Sequence, residues 1–295
     1  MMGAAVAIAT VGDALRMAVA RLEAAGVAEA RADAEILLAR ALGTTRTGLV
    51  LALRRPLPDA AAAELDALLA RRAAREPLQH IVGEREFWSL PFAVDRRVLV
   101  PRPETELLVE TVLRIAPGAR RILDVGTGSG VVAAALAREL PRAGVWATDL
   151  DADALAVARV NLARHAPGAV VLVRGNLLAP FRAGVFDVVV SNPPYLTDRE
   201  LALLAPEVRD HEPRVALAAG ADGLAALEVL VADAPRVLTP GGWLVVEMGA
   251  GQAAAVRRAA EERGRYAAIE VRRDTAGIER VLVAREGRGS GWTRS

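Results

Sequence analysis

Asp124-Val125-Gly126-Thr127-Gly128-Ser129-Gly130 follows the apolar pair Ile122-Leu123 and leads straight into Val131-Val132-Ala133-Ala134-Ala135-Leu136. A short apolar run, a glycine-rich turn and a longer apolar run predict strand, loop and helix, the glycines giving the tight turn and the close backbone approach that a Cβ would block. Working outward, 122–125 is the strand and 131–140 the helix, and the alternation continues with a strand over 144–148 and a helix over 152–164. Two more buried strands are expected at 170–174 and 185–191, then a helix at 222–238, a strand at 243–247 and a helix at 252–263. A terminal hairpin, 268–273 and 280–284, turns at Thr275-Ala276-Gly277. This alternation implies an α/β, Rossmann-like parallel sheet with helices on both faces and ligands at the carboxyl ends of its strands.

Upstream the periodicity is helical. Leu15, Val19 and Leu22 are spaced by three or four and Gly26 stops the segment; a second helix runs over 28–42 and ends at Gly43. A turn over 44–53 precedes Pro56-Leu57-Pro58-Asp59, read as a break and an N-cap for a third helix that reaches Ala74. Residues 1–77 are therefore expected to form a small helical domain, 78–103 a hairpin or linker, 104–285 the main domain and 286–295 a disordered tail. Arg71, Arg72 and Arg75 read as a solvated face, with partner docking as the alternative. The aromatic stretch Glu84 to Val94 admits two readings, a plug between domains or a wall of the substrate pocket. A helix starting near Glu104 carries acidic residues in its first turn, where the helix dipole favours them.

Composition narrows the functional classes. Hydrophobic residues make up 53% of the 295, yet the apolar runs are too short and too often broken by charge for a membrane span. The first ten residues lack the basic start of a secretory signal, so a cytoplasmic protein is expected. With no Cys, disulfides and thiolate zinc sites are excluded, and no metal is expected. A net charge of +1 provides no general attraction to nucleic acid. All 37 basic residues are Arg, whereas Tyr occurs twice and Asn only at 161, 176 and 192, so a tetrad containing one of each draws attention.

The loop gains meaning from Asp149, which ends the next strand 19 residues after Gly130, where a carboxylate can accept both hydroxyls of a ribose. Together they indicate an adenosine-type cofactor. A pyrophosphate disfavours a neighbouring carboxylate, whereas S-adenosylmethionine carries an ammonium and a sulfonium that suit Asp124. The Gly-x-Gly-x-Gly spacing also lacks the longer step of the dinucleotide fingerprint. The expected cofactor contacts are Asp124, Gly126, Thr127, Gly128, Ser129, Gly130 and Asp149, with Asn176 and Leu177 at the adenine edge and face. The product left by methyl transfer is S-adenosylhomocysteine.

Asn192-Pro193-Pro194-Tyr195 begins where the 185–191 strand ends, on the ligand edge of the sheet. An amide or exocyclic amino nitrogen is a poor nucleophile because its lone pair is delocalised, so a site must orient it. The Asn192 side-chain oxygen and the Pro193 carbonyl can each accept one N–H, leaving the third direction toward the methyl group. Two prolines fix φ and lack N–H donors, which keeps the acceptors rigid, and Tyr195 is placed to stack on the planar target. An isolated Asn-Pro-Pro would be an ordinary turn. Its position two strands after Asp149 favours a catalytic site.

Taken together, the chain resembles the release factor glutamine methyltransferase family along nearly its whole length. The resemblance is carried by Glu86-Phe87-Trp88-Ser89-Leu90, Pro101-Arg102-Pro103-Glu104-Thr105-Glu106, the cofactor loop and Asn192 to Tyr195. Glu212-Pro213 with Ala216-Leu217, Asp222-Gly223-Leu224 and the terminal strands add to it. It implies an S-adenosylmethionine methyltransferase sheet and a substrate glutamine in the Gly-Gly-Gln motif of class 1 peptide chain release factors. It also implies that the helical domain helps to dock that protein. By the same resemblance Gly126, Gly128, Gly130, Asp149, Leu177 and Asn192 touch the cofactor, and Asn192 to Tyr195 the glutamine. One departure is that the family often has Asp followed by an aromatic where this chain has Asn176-Leu177. Asn-Pro-Pro-Tyr is shared with adenine-N6 methyltransferases acting on DNA or RNA, which form one alternative. A cofactor-fold protein that binds a partner without turnover forms the other.

Overall fold

The computed structural model describes residues 10–287, so residues 1–9 and 288–295, the latter within the expected tail, lie outside the described chain. Two compact units result: one ends at Gly83 and includes Pro206–His211, and the other comprises Glu84–Ala205 and the chain from Glu212 onward.

The first unit contains α1 (Val11–Ala24), α2 (Ala30–Ala41), α3 (Arg46–Ala52), α4 (Asp59–Ala73) and α5 (Leu78–Val82). Thr10 caps α1 in a reciprocal capping box with Asp13, which satisfies donors that the first helical turn leaves free. Buried Leu15, Leu22, Leu37, Leu38, Leu65 and Leu69 form its core. Four sequence expectations need correction. The 44–53 turn contains α3, started when Thr45 accepts from Gly48 N. Asp59 is the first helical residue and not the cap, which is Pro58. The unit continues past residue 77 because Pro77 opens α5. Arg72 is no solvated side chain: it is 6% exposed, and donates to Asp33 at 2.7 Å and Glu207 at 2.9 Å. Arg75 also binds Glu207. Only Arg71, paired with Glu76, keeps the exposed character expected of the three.

The second unit opens with a hairpin, β1 (Glu84–Phe87) and β2 (Leu90–Ala93), closed by Trp88 and Ser89 at φ 52° and 56°. Left-handed backbone at both turn residues matches the twist of a two-residue hairpin. There follow α6 (Glu106–Ile115), β3 (Arg121–Val125), α7 (Val131–Glu139), β4 (Gly144–Asp149), α8 (Ala152–His165), β5 (Val170–Arg174) and β6 (Phe186–Ser191). After α9 (Asp198–Leu203), Pro206–His211 forms α10 of the first unit. Then come α11 (Ala225–Val237), β7 (Leu238–Glu247), α12 (Ala253–Arg263), β8 (Tyr266–Arg273) and β9 (Glu279–Glu286).

Seven strands form one sheet in the order β5-β4-β3-β6-β7-β9-β8, with β9 alone antiparallel to its neighbours. Side chains alternate between faces as strand geometry requires. Ile122, Val188, Val190 and Val245 pack with α6, α7, α8 and the hairpin. Leu123, Val189, Leu244 and Val246 pack with α11 and α12. Strand β5 is a half-exposed edge, with Val171 52% exposed, and not the buried strand expected. Glu286 is the buried end of β9, so the tail starts later than residue 286. The hairpin packs into the core of this unit. Phe87 and Phe92 are buried in this unit's core with ring centroids 6.3 Å apart.

Candidate active site

At the end of β3 the chain turns through three glycines with left-handed φ: Gly126 at 70°, Gly128 at 54° and Gly130 at 82°. Gly126 and Thr127 both donate their N–H to the Thr148 carbonyl, at 2.9 and 3.0 Å, which moors the loop to β4. Nothing lies within 4 Å of where a Gly128 Cβ would be, so its backbone is open to a ligand. Gly130 does something else. A Cβ there would meet the Ala158 Cβ at 3.2 Å, so this glycine lets α7 pack against α8. It is not among the residues that line the cavity.

That cavity, about 320 Å³, lies beyond the carboxyl ends of β3, β4, β5 and β6, the position expected for a ligand in an open α/β sheet. Asp124, Gly126, Thr127, Gly128, Ser129, Asp149, Asn176, Leu177, Asn192 and Pro194 all line it. The 2%-exposed Asp124 accepts from Thr127 Oγ1 at 2.6 Å. Burial pushes its pKa up to about 7, against the opposing hydrogen bonds from Thr127 and the Ala133 N–H. Asp149 accepts Gly128 N at 2.9 Å on Oδ2 and Asp151 N at 3.0 Å on Oδ1. Its carboxylate therefore straps the loop as well as fronting the cavity, and each oxygen keeps lone-pair capacity for a hydroxyl. Burial raises its pKa too. Leu177 has φ 46°, a costly conformation for a residue with a Cβ.

The end of β6 is fixed by Ser191, whose Oγ donates to the Val125 carbonyl at 2.7 Å. Beyond it, Asn192 Nδ2 donates to Thr105 Oγ1 at 2.9 Å, leaving Oδ1 as the acceptor of that side chain. Asn192 and Pro194, on either side of Pro193, line the cavity, whereas Tyr195 is not in its lining. The Tyr195 hydroxyl donates to Glu247 at 3.4 Å and its carbonyl accepts from Gln252 Nε2 at 2.9 Å. Burial pushes the Tyr195 pKa upward, with Glu247 adding to the shift.

Sequence reasoning passed over several residues of the site. Leu150, 53% exposed, lines the cavity directly after Asp149, an apolar surface of the kind a nucleobase needs. Arg97 and Arg102 also line it and are ion-paired with Asp95 and Glu212. Glu212 also accepts from Val100 N at 3.4 Å, which ties 100–102 to the loop after residue 211. Thr105 and Glu212 sit inside motifs noticed in the sequence, but nothing there indicated that Thr105 holds Asn192 across 87 positions.

Two carboxylates, an open glycine backbone and an apolar floor suit an adenosine bearing a cationic sulfur, and Asp124 complements an ammonium. The fold and cavity define an S-adenosylmethionine-dependent methyltransferase. In agreement, residues 103–207 match the family model described as methyltransferase small domain, and residues 13–83 that described as PrmC N-terminal domain. A methyltransferase from Pyrococcus furiosus has the same fold, with a TM-score of 0.53 at 21% identity over 75% of this chain and 98% of that one. The release factor glutamine methyltransferase of Geobacter sulfurreducens is 45% identical over 89% of this chain and 92% of its own. That of Cereibacter sphaeroides is 46% identical over 92% and 97% respectively. The chain belongs to the release factor glutamine methyltransferase family. Among the described residues no helix is long and apolar enough to cross a membrane.

Proposed function

We propose that this chain methylates the side-chain amide nitrogen of the glutamine in the Gly-Gly-Gln motif of class 1 peptide chain release factors. It does so in the cytoplasm and in support of translation termination. The observation that carries the reading is the Asn192 carboxamide, which spends its donor on Thr105 and so presents Oδ1 as an acceptor in a cavity it shares with Asp124 and Asp149.

S-adenosylmethionine, when bound, supplies a methyl group made electrophilic by its sulfonium. Asp149 would hold the ribose and Asp124 the ammonium. Asn192 Oδ1 and the Pro193 carbonyl accept the two amide N–H bonds, which directs the nitrogen at the methyl carbon. Bound there, the cofactor would supply the methyl carbon, its C–S electron pair leaving on sulfur as the N–C bond forms, and the excess proton on nitrogen would pass to solvent water. Orienting a weak nucleophile in this way can lower a barrier by about 7 to 11 kcal/mol. The helical unit docks the release factor.

The test incubates purified protein and cofactor with a class 1 release factor or with DNA, followed by mass spectrometry of the Gly-Gly-Gln peptide. One added methyl on the glutamine, absent with Asn192→Ala, is the expected result. Methylated adenine with an unmodified release factor would overturn the proposal.

A further inference from the structure

We propose that Gln252 is a positioning residue for methyl transfer, fixing the far end of the Asn192 to Tyr195 tetrad; the inference rests on the amide-methylation reading above. Gln252 stands at the start of α12 and is not among the residues that line the cavity. Its carboxamide is nonetheless fully engaged by backbone groups from three stretches of chain. Nε2 donates to the Tyr195 carbonyl at 2.9 Å and to the Gly223 carbonyl at 3.2 Å, while Oε1 accepts from the Gly249 N–H at 2.8 Å. The partners fix which atom is nitrogen, because the reverse orientation would set an oxygen against two carbonyl oxygens.

The chain around this carboxamide leaves room for it and for nothing more. A Cβ on Gly223, at φ 74°, would lie 2.5 Å from the Tyr195 carbonyl oxygen and 2.7 Å from Gln252 Nε2. A Cβ on Gly249 would lie 3.0 Å from Gln252 Oε1 and 3.1 Å from Tyr195 Cδ2. Only glycine at both positions lets the segments close on one side chain.

The tetrad needs such a tie. Pro193 and Pro194 have no N–H, so no backbone donor in its middle can fasten it to a neighbour, and its place is set from its ends. At the first end Ser191 Oγ donates to the Val125 carbonyl at 2.7 Å and Asn192 Nδ2 to Thr105 Oγ1 at 2.9 Å. At the other end Gln252 takes the Tyr195 carbonyl, and Leu196 then donates to the Leu217 carbonyl at 3.0 Å and accepts from Ala219 N at 2.9 Å. Ala216 and Ala218 line the cavity, so the joint grip on Tyr195 and Gly223 fastens the tetrad to a second wall. Without it, Asp124 on β3 and Asp149 on β4 keep their places, whereas the Pro193 carbonyl and Asn192 Oδ1 lose one of their two anchors. A displacement of about 1 Å at such acceptors costs on the order of 100-fold in rate.

The test measures release-factor methylation between pH 5.5 and 8.5, with kcat expressed relative to wild type, while calorimetry gives cofactor affinity and the fraction of protein that binds cofactor. Gln252→Met, similar in shape but without a donor, should lower kcat roughly 10- to 100-fold at every pH, with KM, cofactor affinity and binding fraction kept within about twofold. Gln252→Glu can still accept from Gly249, but as a carboxylate it cannot donate to Tyr195. It should be as slow as Gln252→Met at pH 8.5 and recover toward pH 5.5, where a protonated carboxyl can donate again. Should one variant fail to fold, the other decides. Wild-type kcat in either variant at pH 8.5, a Gln252→Glu enzyme that does not recover, or a loss of kcat matched by an equal loss of cofactor-binding fraction overturns the assignment. A wild type that methylates no release factor sinks the amide reading itself, whereas normal wild-type turnover with indifferent variants sinks only this role for Gln252.

Discussion

Asn161 in α8 donates its side-chain amide to the Ser129 carbonyl of the glycine loop at 2.8 Å, while the same carboxamide both donates to and accepts from the Ala93 backbone. One 1%-exposed side chain thus binds the hairpin and the loop to a single helix. Replacing it with Leu leaves three backbone groups without partners, one buried and two half-buried, at about 1 kcal/mol each. Asn161→Leu should therefore lose about 3 kcal/mol in urea unfolding. Its cofactor affinity should fall several-fold by calorimetry, because Ser129 lines the cavity. Unchanged affinity in a folded variant would show that the loop holds its shape without this tie.

The glycines of the loop predict opposite outcomes for one change. Gly130→Ala must adopt φ 82° and press on Ala158 at 3.2 Å, so it should cost about 2 kcal/mol of stability, chiefly from the left-handed backbone. Gly128→Ala has open space around it but sits where the ligand approaches. It should lose about 1 kcal/mol of stability, while its cofactor affinity drops at least tenfold. Thermal unfolding and calorimetry on the two variants separate the effects.

These contrasts mark what could be read from the sequence. Strand, loop and helix around Asp124 and the acid at 149 were legible because each depends on neighbours within a few residues. The two faces of the sheet followed from apolar runs such as Val188-Val189-Val190. Adjacency to Asn192 does not announce that the Tyr195 hydroxyl turns to Glu247 on β7, 52 positions away. Gly130 was grouped with its neighbours by pattern, whereas its reason for being glycine is Ala158 on another helix. Short α3 and α10 carry too few residues for a periodic signal, and α10 joins a unit distant from it in sequence.

Asp124 links pH to both stability and binding. Its folded pKa of about 7 lies above the ordinary 3.8, so the folded state holds a proton that the unfolded chain has lost. Stability from this group is fully present below about 3.8 and is lost as pH rises to about 7. The loss is about 1.4 kcal/mol per pH unit within that window. Glu247 acts in the same sense over a similar range. Asp124→Asn should remove the Asp124 share and make the ligand-free protein more stable at pH 8. Cofactor binding should move the other way, weakening in the wild type as pH falls below 7 and in Asp124→Asn at every pH. Urea titrations and calorimetry from pH 5 to 8.5 check both; a variant less stable than wild type at pH 8 would contradict the argument.

In the helical unit, Glu207 accepts Arg72 at 2.9 Å and Arg75 at 2.8 and 2.7 Å, while Arg72 also serves Asp33. Burial alone would raise the Glu207 pKa, but hydrogen bonds from Arg75, its own backbone N–H and Arg72 hold it down to about 2. Because the folded value lies below the ordinary 4.5, this stability is present above pH 4.5 and disappears as pH falls toward 2. Glu207→Gln leaves buried Arg72 with Asp33 as its one remaining carboxylate. It should cost about 3 kcal/mol at pH 7. The half-exposed Arg71–Glu76 pair gives the comparison, since Arg71→Gln should cost less than about 1 kcal/mol. Urea unfolding at pH 7 and pH 2.5 should show the Glu207→Gln deficit in full at the first and shrunk to about a quarter at the second, and a deficit equal at both would mean that the side chain acts through packing and not through its charge.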